Sequence, residues 1–167
     1  MATKEQYDFF KDQFVEEEKR YSDLTKRGEI YFSILSILLT GVIFKIKDIF
    51  EILKVLDNAT FKTVLIGLFV LSFLLFSLGF FFITLGLKIR EFEGVTDIKS
   101  YLDSLGGTPP TNEDFFDDRI VDFITASERN ESVNDLRANR LSISLGFILA
   151  GFISMAVFIF TLFIQIL

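Results

Sequence analysis

Apolar and charged residues are segregated along this chain rather than interleaved. Thr63 to Leu87 and Leu141 to Leu167 contain no Asp, Glu, Lys or Arg. Each exceeds the roughly 20 apolar residues that span a bilayer. Neither has the polar face that a water-soluble core helix would need. A third apolar run, Ile30 to Phe44, is shorter. It becomes long enough if its helix tilts, or continues through KIKDIFEIL with Lys45 and Lys47 snorkelling outward; a re-entrant segment is the other reading. The pattern predicts an all-α membrane protein with three transmembrane helices, an N-terminal cytoplasmic helix and a helical cytoplasmic insert continuous with the last span.

The polar stretches carry their own signals. Thr3 and Gln6 have the spacing of a capping box, and no Pro or Gly follows until Gly28, so Thr3 to Arg27 reads as a helix. Tyr7, Phe10, Phe14, Tyr21 and Leu24 follow a heptad, with Glu17 as its odd member. Such a stripe suits lipid headgroups or copies of itself beneath the membrane. Lys45 to Lys62 reads as a short amphipathic external loop turned at Asp57-Asn58. In the insert, Thr96 can cap a short helix ending at Leu105, GGTPPT (Gly106 to Thr111) is a strong break, and Thr111 can cap the next helix with Asp114 three residues on. No Pro or Gly then appears until Gly146, which predicts one long helix entering the third span. The expected organisation is 1–29, 30–90, 91–140 and 141–167.

Composition narrows the chemistry. Half the residues are hydrophobic and 22 are Phe, at a formal net charge of −6 over 167 residues. With no Cys there are no disulfides or thiolate sites, and with no His there are no Ser-His or Cys-His pairs. No metal-ligand spacing and no Gly-rich phosphate loop is present, so neither an enzyme nor a cofactor site is expected. The charged, aromatic N-terminus is unlike a cleavable signal peptide. Lys and Arg number six in the first 29 residues, seven from Lys88 to Arg140, and four between the first two spans. The positive-inside rule then places the N-terminus and the insert in the cytoplasm, and the far end of the chain outside. The expected location is a bacterial inner membrane.

Several residues are candidates for function. Ser142, Gly146, Ala150 and Ser154 recur every four residues, a small-residue stripe that lets helices approach closely; Ser72, Gly79 and Gly86 recur every seven. Ser33, Ser36 and Thr40 form a hydroxyl stripe that packs or lines a pore. No charged residue lies in the two longer spans, which argues against a pump or secondary transporter. From Glu91 to Arg140 there are 12 acidic and five basic residues. That surface is solvated, or concentrates cations at a pore mouth if copies surround an axis. Arg129, Asn130, Asn134, Arg137 and Arg140 gather near the membrane end of the last helix. They read as helix-surface polarity, or as an anion or nucleotide site in which Arg forks pair with phosphate.

Two stretches, FKDQFVEEEKRYSDLTKRGEIYFSILSILLTGVIF and ITASERNESVNDLRANRLSISLGFILAGF, run charged helices directly into the first and last spans. This layout resembles the small transmembrane effectors of bacterial anti-phage defence systems of the CBASS, Pycsar and Hailong kind. The resemblance implies a homo-oligomer, silent until a nucleotide or oligonucleotide made by a nucleotidyltransferase or cyclase partner changes its state. It would then open a pore or disrupt the inner membrane. A tetramer is the expected assembly, since four short helical subunits could enclose a narrow axial path. A non-conducting anchor or regulatory subunit for a soluble partner is the first alternative. A holin-like lysis protein is the second.

Overall fold

In a computed structural model, which describes residues 3–89, 92–106 and 110–166, the chain forms four α-helices and, among those residues, no strand. They are α1 (Lys4–Val55), α2 (Ala59–Lys88), α3 (Ile98–Ser104) and α4 (Asn112–Ile166). Three of them are long and apolar enough to cross a membrane. The chain divides into two compact units, Met1–Lys26 with Ile89–Arg137, and Arg27–Lys88 with Ala138–Leu167. Helices α1 and α4 contribute residues to both.

Local chemistry sets most helix ends. The Gln6 amide donates to Thr3 Oγ1 at 3.2 Å while the Thr3 amide donates to Gln6 Oε1 at 3.0 Å, a reciprocal box opening α1. The Asp114 amide donates to Thr111 Oγ1 at 3.2 Å to open α4. Asn58 opens α2 by accepting the Phe61 amide on Oδ1 at 3.1 Å. At α3 the expected cap moves by one residue. Asp97 holds the N-cap position, without a side-chain bond, its carbonyl accepting the Tyr101 amide at 2.9 Å, while the Thr96 carbonyl accepts from Arg119 at 2.7 Å. Gly106, at φ 65°, follows α3 in the left-handed conformation that ends helices. Part of the predicted break, residues 107–109, lies outside the described residues.

Two sequence expectations are corrected. Gly28 does not end the N-terminal helix; α1 passes through it for 52 residues. A mid-helix Gly costs about 1 kcal/mol against Ala. Here it is buried, where a Cβ would meet Leu87 and Leu141, and close packing offsets that cost. The predicted external loop is also largely helix, in keeping with the other expectation, that the first-span helix continues through KIKDIFEIL. α1 continues to Val55, and only the residues before Ala59 turn the chain. KIKDIFEILKVL hides an inward stripe: Leu53 is buried with Leu65, Phe69 and Phe158, and Ile49 and Leu56 pack on the same cluster. That contact holds the segment helical, and no re-entrant break occurs in α1.

A seven-residue register unites the long helices. On α2 the buried residues are Leu65, Ser72, Gly79 and Gly86, seven apart, with Phe69, Phe76 and Ile83 between them. On α4, Asn130, Arg137, Ser144, Gly151 and Phe158 are seven apart and buried, and so are Asn134, Leu141 and Ile148. This is the spacing of knobs packed into holes. In the second unit, small residues bring α2 and α4 close. A Cβ on Gly151 would stand 2.8 Å from the Phe76 ring, and one on Gly79 3.0 Å from Ile148 Cγ1. Ser144 Oγ donates to the Gly79 carbonyl at 3.0 Å and Ser154 Oγ to that of Leu68 at 3.2 Å. Such bonds average about 0.6 kcal/mol between membrane helices.

Gly151→Val should therefore destabilise the detergent-purified protein by about 1–3 kcal/mol through overpacking against Phe76, read as a lowered thermal midpoint. Gly67→Ala, at a mid-helix site with nothing within 4 Å, should hold or raise the midpoint, since only the helix preference of Ala over Gly changes there.

Candidate functional site

The first unit is built around aromatic rings and buried polar groups. Most of the N-terminal stripe of α1 packs against residues of the same unit. Tyr7 meets Phe116 and Phe123 with centroids 5.3 and 5.6 Å apart. Phe14 lies 5.8 Å from Phe92 and 5.7 Å from Phe123. Tyr21 closes on Phe92 at 5.0 Å, and Leu24 is buried.

Against this face stand the residues expected to hold an anion. Asn130 is fully buried; its Oδ1 accepts the Glu93 amide at 2.8 Å and its Nδ2 donates to the Glu93 carbonyl at 2.9 Å. Asn134, also fully buried, donates from Nδ2 to the Glu17 carbonyl at 2.9 Å and to Glu17 Oε2 at 2.7 Å. Arg137 lies over the Tyr21 ring, 4.0 Å from its centroid, and donates to Thr25 Oγ1 at 2.8 Å. Burial pushes its guanidinium below the ordinary value, against an opposing pull from Tyr21. Asn134 and Arg137 thus tie α4 to α1, and Asn130 ties α4 to the segment before α3, because polar groups out of water must find partners inside the protein. Arg140 belongs to the second unit, beside Gly86, with its Nε buried and not hydrogen-bonded.

Arg129 alone of the set is exposed. It donates to both Glu93 carboxylate oxygens at 2.7 Å, and that hydrogen bond, then the nearby charge, raises its pKa. Beside it lies a cleft of about 390 Å³ lined by Phe92, Glu93, Arg129, Ser132 and Val133. A second cleft, of about 330 Å³, is lined by Glu16, Glu17, Glu128 and Glu131 together with Phe10, Gln13, Ile124 and Ser127. Among the described residues, no group of acidic side chains is arranged to hold a metal ion.

Sequence reasoning missed Arg119. It is buried, donates to the Thr96 carbonyl, pairs with Asp122 at 3.2 Å and lies 5.7 Å from the Phe123 centroid. Its signal was available: a lone cation between Phe116 and Phe123, on one helix face at i−3 and i+4. It fastens the segment before α3 to α4.

In the second unit the small-residue expectations divide. Ser72, Gly79 and Gly86 are buried packing positions. Ser142, Gly146 and Ala150 face outward, and only Ser154 turns inward. A spacing of four gains about 40° per step on a helix with 3.6 residues per turn, so the stripe drifts across faces. Ser33 and Thr40 are exposed and Ser36 is half-buried. Ser33 and Ser36 donate to the Glu29 and Phe32 carbonyls of their own helix, both at 2.8 Å.

The helices define an all-α protein with membrane-spanning character. Compared with protein-family models, with curated proteins and with solved structures, the chain matches none.

Asn130→Ala should strand the Glu93 amide and carbonyl, weakening the 92–97 attachment by about 1–3 kcal/mol. Hydrogen exchange at these amides should accelerate, while exchange within α2 stays as it was.

Proposed function

We propose that this chain is a homo-oligomeric membrane effector that forms a ligand-gated ion channel or pore and depolarises or disrupts the inner membrane. The carrying observation is the outward side of the second unit. A single copy leaves Ser33 and Thr40 on α1, and Ser142, Gly146 and Ala150 on α4, uncovered by its own helices. Small residues at such a face let another copy approach closely, and hydroxyls line water without the penalty of ionised groups in lipid. A tetramer with cytoplasmic N-termini is the form we favour.

Control falls to the first unit. The ligand class we propose is a nucleotide or oligonucleotide made by a nucleotidyltransferase or cyclase, within anti-phage defence; the charged helices leading into the first and last spans support that reading. Arg129 is the residue on which its phosphate would bear. Its exposed Glu93 partner can be displaced by an anion, whereas Asn130, Asn134 and Arg137 are engaged internally. A ligand that reorganises α1 and α4 in this unit biases the same two helices where they enter the other. The cleft bearing Glu16, Glu17, Glu128 and Glu131 favours a second reading, a non-conducting anchor for a soluble partner with a basic segment.

Vesicles containing the purified chain should change their ion leak when an oligonucleotide or cyclic nucleotide is added, and Arg129→Gln should remove that response. Vesicles that stay tight with every nucleotide would leave the anchor reading.

A further inference from the structure

The α1 segment once expected outside the membrane carries charge to a depth where the neighbouring helices carry none. Phe50 meets Phe69 of α2 with centroids 6.4 Å apart, and Phe69 meets Phe158 of α4 at 5.5 Å. Toward the other end of α1, Leu35 lies beside Gly79. The two helices therefore run antiparallel, and Lys47 falls level with the turn of α2 around Val70. Phe69 is six residues inside the uncharged stretch that begins at Thr63, about 9 Å along the helix. On α4, uncharged sequence likewise continues nine residues past Phe158, to Leu167. The stretch from Thr63 to Leu87 is about 38 Å long against a hydrocarbon core of about 30 Å. With it centred, the level of Lys47 and Asp48 is inside the core.

At that depth the charges face away from the protomer. Lys47 pairs with Glu51 at 3.8 Å, their side chains 83% and 62% exposed; Lys45 pairs with Asp48 at 2.8 Å, at 72% and 56%. A Lys stem can reach toward the headgroups, but the shorter Asp and Glu side chains cannot reach far. Ionised groups within a bilayer face a bundle interior or a water-filled cavity. Exposure rules out the interior of this protomer. The charges also continue the hydroxyl stripe: Ser33, Ser36, Thr40, Lys47, Glu51 and Lys54 follow one another at intervals of three, four or seven residues, along one helix face that Ile37 and Phe44 share.

We infer that this outward face of α1 stands in water at bilayer depth and is the wall of an ion path closed by further copies, with the Lys47–Glu51 pair set in that wall. The inference rests on the channel reading above and names the helix and the residues that the permeating small inorganic ions would meet. Paired opposite charges along the wall give ions of either sign a partner.

The chain contains no Cys, so single cysteines report without background. The full-length chain in membrane vesicles, carrying Lys47→Cys, Val70→Cys or Asn58→Cys, is treated on both sides with a charged, membrane-impermeant thiosulfonate. Asn58→Cys, in the turn, sets the rate for a wetted site. Lys47→Cys should react at a comparable rate. Val70→Cys, level with it on the exposed surface of α2, should react about 100-fold more slowly or less, because lipid suppresses the thiolate. Equal, fast labelling of both would place that level outside the bilayer, and protection of Lys47→Cys would place its face in lipid; either overturns the inference. If Lys47→Cys does not accumulate in membranes, Thr40→Cys against Leu74→Cys makes the same comparison. Vesicles that never leak while Lys47→Cys labels and Val70→Cys does not would remove conduction and leave the wetted face standing.

Discussion

Along α4 a single seam, repeating every seven residues, must be filled by whatever its surroundings allow. From Asn130 to Arg137 the seam is polar, and each of its three side chains donates to a carbonyl, carboxylate or hydroxyl of the same unit. From Ser144 onward it is small or apolar. The change is what two solvents would demand. Where water competes, apolar burial drives association and buried polar atoms add discrimination between registers. Where lipid surrounds the helices, burial of apolar surface gives no net drive, so close approach at Gly151 and Gly79 and the Ser144 hydroxyl bond do the holding. The register is constant, and its chemistry is not.

The fold was legible wherever helix periodicity and charge agreed. The uncharged stretches, the caps at Thr3 and Thr111, and the long uninterrupted α4 follow from local sequence. The loop expected over Lys45 to Lys62 failed because its charges outweighed, in a linear reading, the inward positions Ile49, Leu53 and Leu56. Those positions acquire meaning only against Leu65, Phe69 and Phe158, more than a hundred residues apart in the last case. Glu17, the odd member of the N-terminal heptad, has its reason in Asn134, which bonds both its carbonyl and its carboxylate.

The site was harder to read for a related reason. Asn and Arg on a helix near a membrane have the look of a ligand cradle, since sequence shows donors and acceptors but not what satisfies them. Their partners lie 37 residues away for Asn130 and 117 for Asn134. Only Arg129 keeps the exposure that binding an anion requires, and it is the one whose carboxylate partner is itself at the surface. Likewise, of two small-residue stripes, the one spaced by seven stays on the inner face and the one spaced by four wanders off it. On the channel reading, that wandering leaves Ser142, Gly146 and Ala150 for a neighbour while α1 presents its hydroxyls and ion pairs.

The tie at Asn130 has a consequence for how such a chain changes through descent. Both of its bonds end on the main chain of residue 93, which every amino acid except proline supplies in full. Position 93 is therefore free to exchange its side chain, and with it the surface counter-ion of Arg129, without loosening the attachment. Position 130 has no such freedom: only a primary amide of that reach offers one donor and one acceptor together. Variation should gather on one side of the contact, so surface charge at Glu93 could drift between related proteins while the attachment beneath it stayed the same.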